Sequence, residues 1–143
     1  MAVLLIAAAA CTKEQDYFCY LEYMNGTEHM IELSVRIIRP ESEPDYLYSL
    51  SLAPGQDTGL LRLPGHDFPD FPVLEMTVVF DGTYRIRHKT GETYTYANLA
   101  EAEHYGLREY MDRYSIIRSY SFTEADYEAA KAVPQEQHED SLL

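Results

Sequence analysis

Ile31-Glu32-Leu33-Ser34-Val35-Arg36-Ile37 is the stretch that decides the fold class of this chain. Its apolar side chains fall on every second residue, with polar ones between, which places them on opposite faces of a strand. One face is buried and the other is wet, as in a half-solvated antiparallel sheet. Upstream, Tyr17, Cys19, Leu21 and Tyr23 alternate with Phe18, Tyr20, Glu22 and Met24. The following Asn25-Gly26 readily supplies the positive φ angles of a hairpin turn. Downstream, residues 39–45 contain two prolines and three acids, which resist both ladder and helix. Alternation resumes with Tyr46, Tyr48, Leu50 and Leu52 against Leu47, Ser49 and Ser51, and Ala53-Pro54-Gly55 ends it.

Leu60 to Leu63 reads as a short strand, Pro64 to Pro72 as a second irregular segment, and residues 73–80 as another strand. Asp81-Gly82 then poses a register question. A two-residue loop pairs Phe80 with Thr83 and mixes apolar with basic side chains on each face. A three-residue loop of Phe80-Asp81-Gly82, with Gly82 left-handed, aligns Met76 and Val78 with Tyr84 and Ile86 and leaves Arg85 and Arg87 on the wet face with Thr77. A slip of one residue inverts every side chain, so the bulged turn is expected.

Thr93 to Tyr96 is a further candidate strand, and residues 98–112, interrupted by Gly106, fit a short helix or a long loop equally well. In the last strand Tyr114, Ile116, Tyr120 and Phe122 share a face opposite Ser115, Ile117, Ser119 and Ser121. Thr123-Glu124-Ala125-Asp126 has the form of a capping box, and Pro134 closes the helix it starts. Six to eight short strands and one terminal helix define an all-β, antiparallel β-sandwich, immunoglobulin-like or transthyretin-like, with a short C-terminal helix.

The length of 143 residues leaves room for one domain, and 46% hydrophobic with 13% aromatic residues supplies its core. Eleven Lys and Arg against 24 Asp and Glu give a net charge of −13, which repels phosphate backbones and argues against nucleic acid as a partner.

The N-terminus carries the targeting information. Residues 2–10 are an apolar run of nine, far short of the roughly 20 needed to span a bilayer as a helix. Small residues close the run before Cys11, like the h-region and cleavage site of a secretory signal. Ala8-Ala9-Ala10-Cys11 resembles the lipobox of bacterial lipoproteins, in which cleavage precedes a cysteine that then carries lipid. Ala8 stands where a Leu is usual, and no Lys or Arg precedes the run, as if the start lay upstream of Met1. The organisation expected is a signal peptide over 1–10, lipidated Cys11 and a tether over 11–16, one sandwich domain with its helix over 17–133, and a flexible tail over 134–143. With Cys11 acylated, Cys19 has no partner and packs as a small hydrophobe; a Cys11–Cys19 bridge is the alternative.

Lys13-Glu14-Gln15-Asp16 is similar to the acidic export signals that follow the lipidated cysteine in surface lipoproteins of Bacteroides-type bacteria. Further segments resemble a group of small lipoproteins from those bacteria: Asn25-Gly26-Thr27, Ser51-Leu52-Ala53-Pro54-Gly55, Val78-Val79-Phe80-Asp81-Gly82 and Ser121-Phe122-Thr123-Glu124-Ala125-Asp126-Tyr127. The resemblance spans nearly the whole chain after Cys11. It implies a secreted, lipid-anchored β-sandwich and supplies no catalytic residue.

The residues themselves carry no catalytic constellation. His29, His66, His88, His104 and His138 show no zinc spacing, and no Gly-x-Ser-x-Gly, P-loop or dinucleotide fingerprint is present. His66-Asp67 with Asp70 is the nearest thing to a ligand cluster, and Glu41, Glu43 and Asp45 form a weak calcium candidate; solvated loops are the expected reading of both. Thirteen tyrosines suit half-buried pleated surfaces, with Tyr84, Tyr114 and Tyr120 in phase with core positions, more than they suit a sugar site lacking Trp.

The expectation is therefore a non-enzymatic lipoprotein of the cell envelope, held in the outer membrane by lipid on Cys11 and either surface-exposed or periplasm-facing. Its sandwich binds an envelope protein or a glycan, with no cofactor and no metal. The alternative is a glycosidase-like hydrolase using acids in a cleft between the loops at 39–45 and 64–72.

Overall fold

Each stretch of alternating residues has one apolar face to hide, and two sheets hide them against each other. The structure, a computed structural model, describes residues 18–39, 41–63, 71–92, 98–108 and 115–134. Its strands are β1 (Phe18–Asn25), β2 (Ile31–Ile37), β3 (Tyr46–Leu52), β4 (Leu61–Arg62), β5 (Leu74–Phe80), β6 (Tyr84–Lys89), β7 (Gly106–Arg108) and β8 (Ser115–Phe122). A 3₁₀ turn, Ala102–His104, precedes β7, and the helix α1 spans Glu124–Ala132. The sheets have strand orders β4-β1-β8-β7 and β3-β2-β5-β6. The chain is thus an all-β sandwich with a short C-terminal helix. The signal, Cys11 and the tether, the strand at 93–96, Tyr114 and the tail from 135 lie outside the described residues, as do His66, Asp67 and Asp70.

The core follows the alternation. Leu21 and Tyr23 of β1, Ile31, Leu33, Val35 and Ile37 of β2, and Leu74, Met76, Val78 and Phe80 of β5 are buried, while Glu32 and Arg36 are exposed. Phe80 of one sheet meets Phe122 of the other edge to face at 6.4 Å. Truncating either ring removes about 3–5 kcal/mol by the usual cavity scale. Cys19 packs against this core, and burial raises its thiol pKa. Most of the described tyrosines face inward: Tyr23 and Tyr105 are buried, and Tyr48, Tyr84, Tyr120 and Tyr127 pack against the core.

Four features depart from the expected plan. First, β1 and β8 pair in parallel along their full length, Phe18 with Ser115 through Asn25 with Phe122, so the sandwich is not wholly antiparallel. Parallel neighbours need a long crossover, and here the chain between β1 and β8 provides it. Second, Asn25-Gly26 is no hairpin, because β1 and β2 lie in different sheets. Gly26 is required by proximity: its N–H donates to Phe122 O at 2.9 Å, and an added Cβ would lie 2.8 Å from that oxygen.

Third, the β5–β6 turn keeps the expected faces and moves the pairing by two residues, to Phe80–Tyr84, Val78–Ile86 and Met76–His88. Fully buried Phe80 stays in the ladder, and the loop becomes Asp81-Gly82-Thr83. Asp81 (φ 52°) and Gly82 (φ 67°) both take left-handed backbone, which Asp tolerates better than most residues. Fourth, the start of β8 is buried on both faces, since Ile116 and Ile117 are both below 5% exposed. Arg118, on the inward face, lays its guanidinium 5.6 Å over the Phe71 ring.

Buried tyrosine hydroxyls fix the segment before β7. Tyr105 OH donates to Leu99 O at 2.8 Å, so its single proton is committed, and Tyr23 OH must be the donor in the 2.6 Å contact between the two hydroxyls. Tyr105→Phe leaves Leu99 O and Tyr23 OH unsatisfied in the core and is expected to cost about 2 kcal/mol. Tyr23→Phe removes only a donor and costs less. Urea unfolding of the two variants checks the order.

At the C-terminus the capping box forms as its residues suggest. Asp126 accepts from Thr123 N at 2.8 Å through one oxygen and from Tyr120 OH at 2.6 Å through the other. The second bond fastens α1 to β8. The helix ends at Ala132, two residues before Pro134, where proline cannot continue it.

Candidate functional site

The end of the sandwich toward which β1 and β8 run gathers the arch 26–30, the Asp81-Gly82-Thr83 turn and the first turn of α1. Asn25 organises the arch from a fully buried position. Its Nδ2 donates to His29 O (2.6 Å) and Leu52 O (3.0 Å), and its Oδ1 accepts from Thr27 N (2.9 Å) and Thr27 Oγ1 (2.7 Å). These bonds satisfy the amide's four groups. They also aim His29 outward between turn and helix.

His29 Nδ1–H donates to Asp81 Oδ2 at 2.6 Å and Nε2–H to Glu124 Oε2 at 3.2 Å. Donating to two carboxylates at once requires both ring nitrogens to carry protons, so the ring is an imidazolium. It stacks on Tyr127 with centroids 3.6 Å apart and planes 9° from parallel, a cation against an aromatic face. Partial burial works against the charge, but the Asp81 bond and the Asp81 and Glu124 charges outweigh it, and the His29 pKa is raised. The bond to His29 lowers that of Asp81 in turn. Backbone bonds complete the lock: Met30 N donates to Asp81 Oδ1 (3.0 Å) and Glu28 N to Glu124 Oε1 (3.0 Å).

With both nitrogens engaged, His29 presents no free base to a substrate; it clamps the arch to the turn and the helix. His29→Gln is expected to cost about 1 kcal/mol, the scale of exposed ion pairs and one aromatic stack. The raised pKa sets the sign. The contribution is complete below the unfolded-state pKa and is lost as pH rises through the folded one, so wild type and variant converge in alkaline denaturation series.

Among the described residues, the other histidines and the acids singled out in the sequence lie apart from this clamp. His88 is buried on β6, where its Nδ1 accepts from Leu99 N at 3.2 Å. His104 lies 3.4 Å from Glu103. Asp45 is paired with Arg36 at 2.8 Å, and Glu43 with Arg39. A bond from the Arg39 backbone, with Arg36 beside it, holds the Asp45 carboxyl below its ordinary pKa. A glycosidase acid needs the reverse shift.

Among the described residues no three His, Cys, Asp or Glu side chains are placed to hold a metal ion, and no helix is long and apolar enough to cross a membrane. The clamp was not visible in the sequence, because its ion-pair members are separated by 52 and 95 residues and Asp81 reads there as a turn residue. No protein-family model, curated protein or solved structure matches the chain.

Proposed function

We propose that this chain is a secreted, lipid-anchored lipoprotein of the bacterial cell envelope whose sandwich is a non-catalytic binding module. The observation that carries the reading is Ala8-Ala9-Ala10-Cys11, followed by polar Thr12 to Asp16 and then by β1 from Phe18. A lipid on Cys11 would leave seven residues before the first strand, a reach of at most about 25 Å. The direction of β1 supports a display role. A chain moored at its N-terminus enters the sandwich at Phe18 and carries the His29 clamp at the far end of a strand about 26 Å long. That end would face away from the membrane, toward an envelope protein or a glycan. A glycosidase-like role has less behind it, because Glu43 and Asp45 are committed to arginines.

The test is palmitate labelling with cell fractionation of wild type and Cys11→Ser. Label on the wild type alone, with the variant released to the soluble fraction, is the expected result. Absence of label together with identical partitioning of the two proteins overturns the reading.

A further inference from the structure

The four sheet edges are not equally protected. β4 has two residues and β7 three, too short to template another strand, and β6 carries Arg85, Arg87 and Lys89 on its outward face. Short length and basic side chains are the usual means of blocking edge-to-edge pairing. β3 has neither. Its seven residues, Tyr46-Leu47-Tyr48-Ser49-Leu50-Ser51-Leu52, hold no charge, no proline and no glycine. They pair with β2 on one side and with no strand on the other in the described sheets. Leu47 is 63% exposed and Tyr46 44%.

We infer that β3 is a homodimerisation edge, on which β3 of a second copy adds antiparallel about a two-fold axis through Ser49. The sequence of β3 is self-complementary under that operation. Reading it backwards exchanges tyrosines for leucines, so Tyr46 lies opposite Leu52 and Tyr48 opposite Leu50 on the core-facing side. Leu47 lies opposite Ser51 on the outer side. Aromatic rings against aliphatic side chains are favourable cross-strand pairs, and an isologous contact of this kind closes at two copies.

Charge selects the same edge. Copies of a chain with net charge −13 repel one another over most of their surface. The β3 strand itself carries no charge, and at its start Asp45 and Glu43 are ion-paired with Arg36 and Arg39, the latter also lying 5.6 Å over the Tyr46 ring. A single strand pair buries less than the roughly 1,200 Å² of a standard stable interface, so the dimer is weak and concentration-dependent.

Sedimentation velocity of the full chain as Cys11→Ser, from about 1 μM to about 1 mM, tests the inference. A shift from monomer to dimer is expected. Adding Ser49→Lys, which opposes two like charges at the axis, should hold the protein monomeric, whereas Thr77→Lys, on the same outer face away from the edge, should dimerise as before. Amide exchange gives a reading that needs no edge variant: protection over 46–52 should rise with concentration. A monomer throughout the range, dimerisation undiminished by Ser49→Lys, or exchange over 46–52 that ignores concentration overturns it.

Discussion

Asn25→Ala should cost about 4 kcal/mol, more than most single surface or boundary changes, because it orphans several buried groups at once. Leu52 O, His29 O, Thr27 N and the Thr27 hydroxyl all bond to the Asn25 amide. Asn25 and Thr27 are themselves below 5% exposed, so water does not readily replace the lost partners. Each buried polar group left unsatisfied costs about 1–3 kcal/mol, with partial relief where the arch relaxes. Asn25→Asp is the instructive companion. It keeps the acceptor for Thr27 but loses both N–H donors, and it buries a carboxylate facing two carbonyl oxygens. Both variants should lower the urea midpoint sharply, and exchange protection should fail first over 26–30 and at the start of α1, which the arch holds through His29. Retention of wild-type stability by Asn25→Ala would show that the arch is held by something other than this amide.

The second large effect is a loss of stability in acid. Burial, aided by the neighbouring His104 charge, pushes the His88 pKa from its ordinary 6.5 down to about 4. The native state therefore holds His88 neutral, with Nδ1 accepting from Leu99 N, while the unfolded state takes up a proton below 6.5. Stability from this group is complete above that value and declines by about 1.4 kcal/mol per pH unit down to the folded pKa, about 3 kcal/mol in all. Denaturant midpoints measured between pH 7.5 and 4 should show the slope, and His88→Gln, which keeps an acceptor and cannot titrate there, should flatten it. His29 has the opposite dependence, losing its contribution on the alkaline side. Together the two histidines place the stability maximum between their folded pKa values.

Much of the architecture was legible from periodicity. β2, β5 and β1 place their side chains as alternation requires, and the Thr123 box and Pro134 bracket α1, which ends two residues before the proline. The wet face of β6 followed from the rule that one slipped residue inverts a strand, although the pairing itself moved by two. That shift keeps every side chain on its face, so alternation cannot detect it; only the burial of Phe80 chooses between the two registers. The candidate site was illegible for a related reason. His29, Asp81 and Glu124 each have a sufficient local explanation as arch, turn and helix residues, and nothing in their spacing announces that they converge.

What the sequence determined by itself is local: which residues alternate, where turns and caps fall, which faces are apolar, and the lipobox-like approach to Cys11. Such features depend on backbone geometry and solubility within a few residues, and these are written in neighbouring side chains. Strand direction, sheet membership and strand order were decided only in the folded molecule. A strand shows the same alternation whichever way its neighbour runs, so the parallel union of β1 with β8, the sheet-to-sheet arch at Asn25 and the edge position of uncharged β3 in the described sheets arise from the routing of the whole chain.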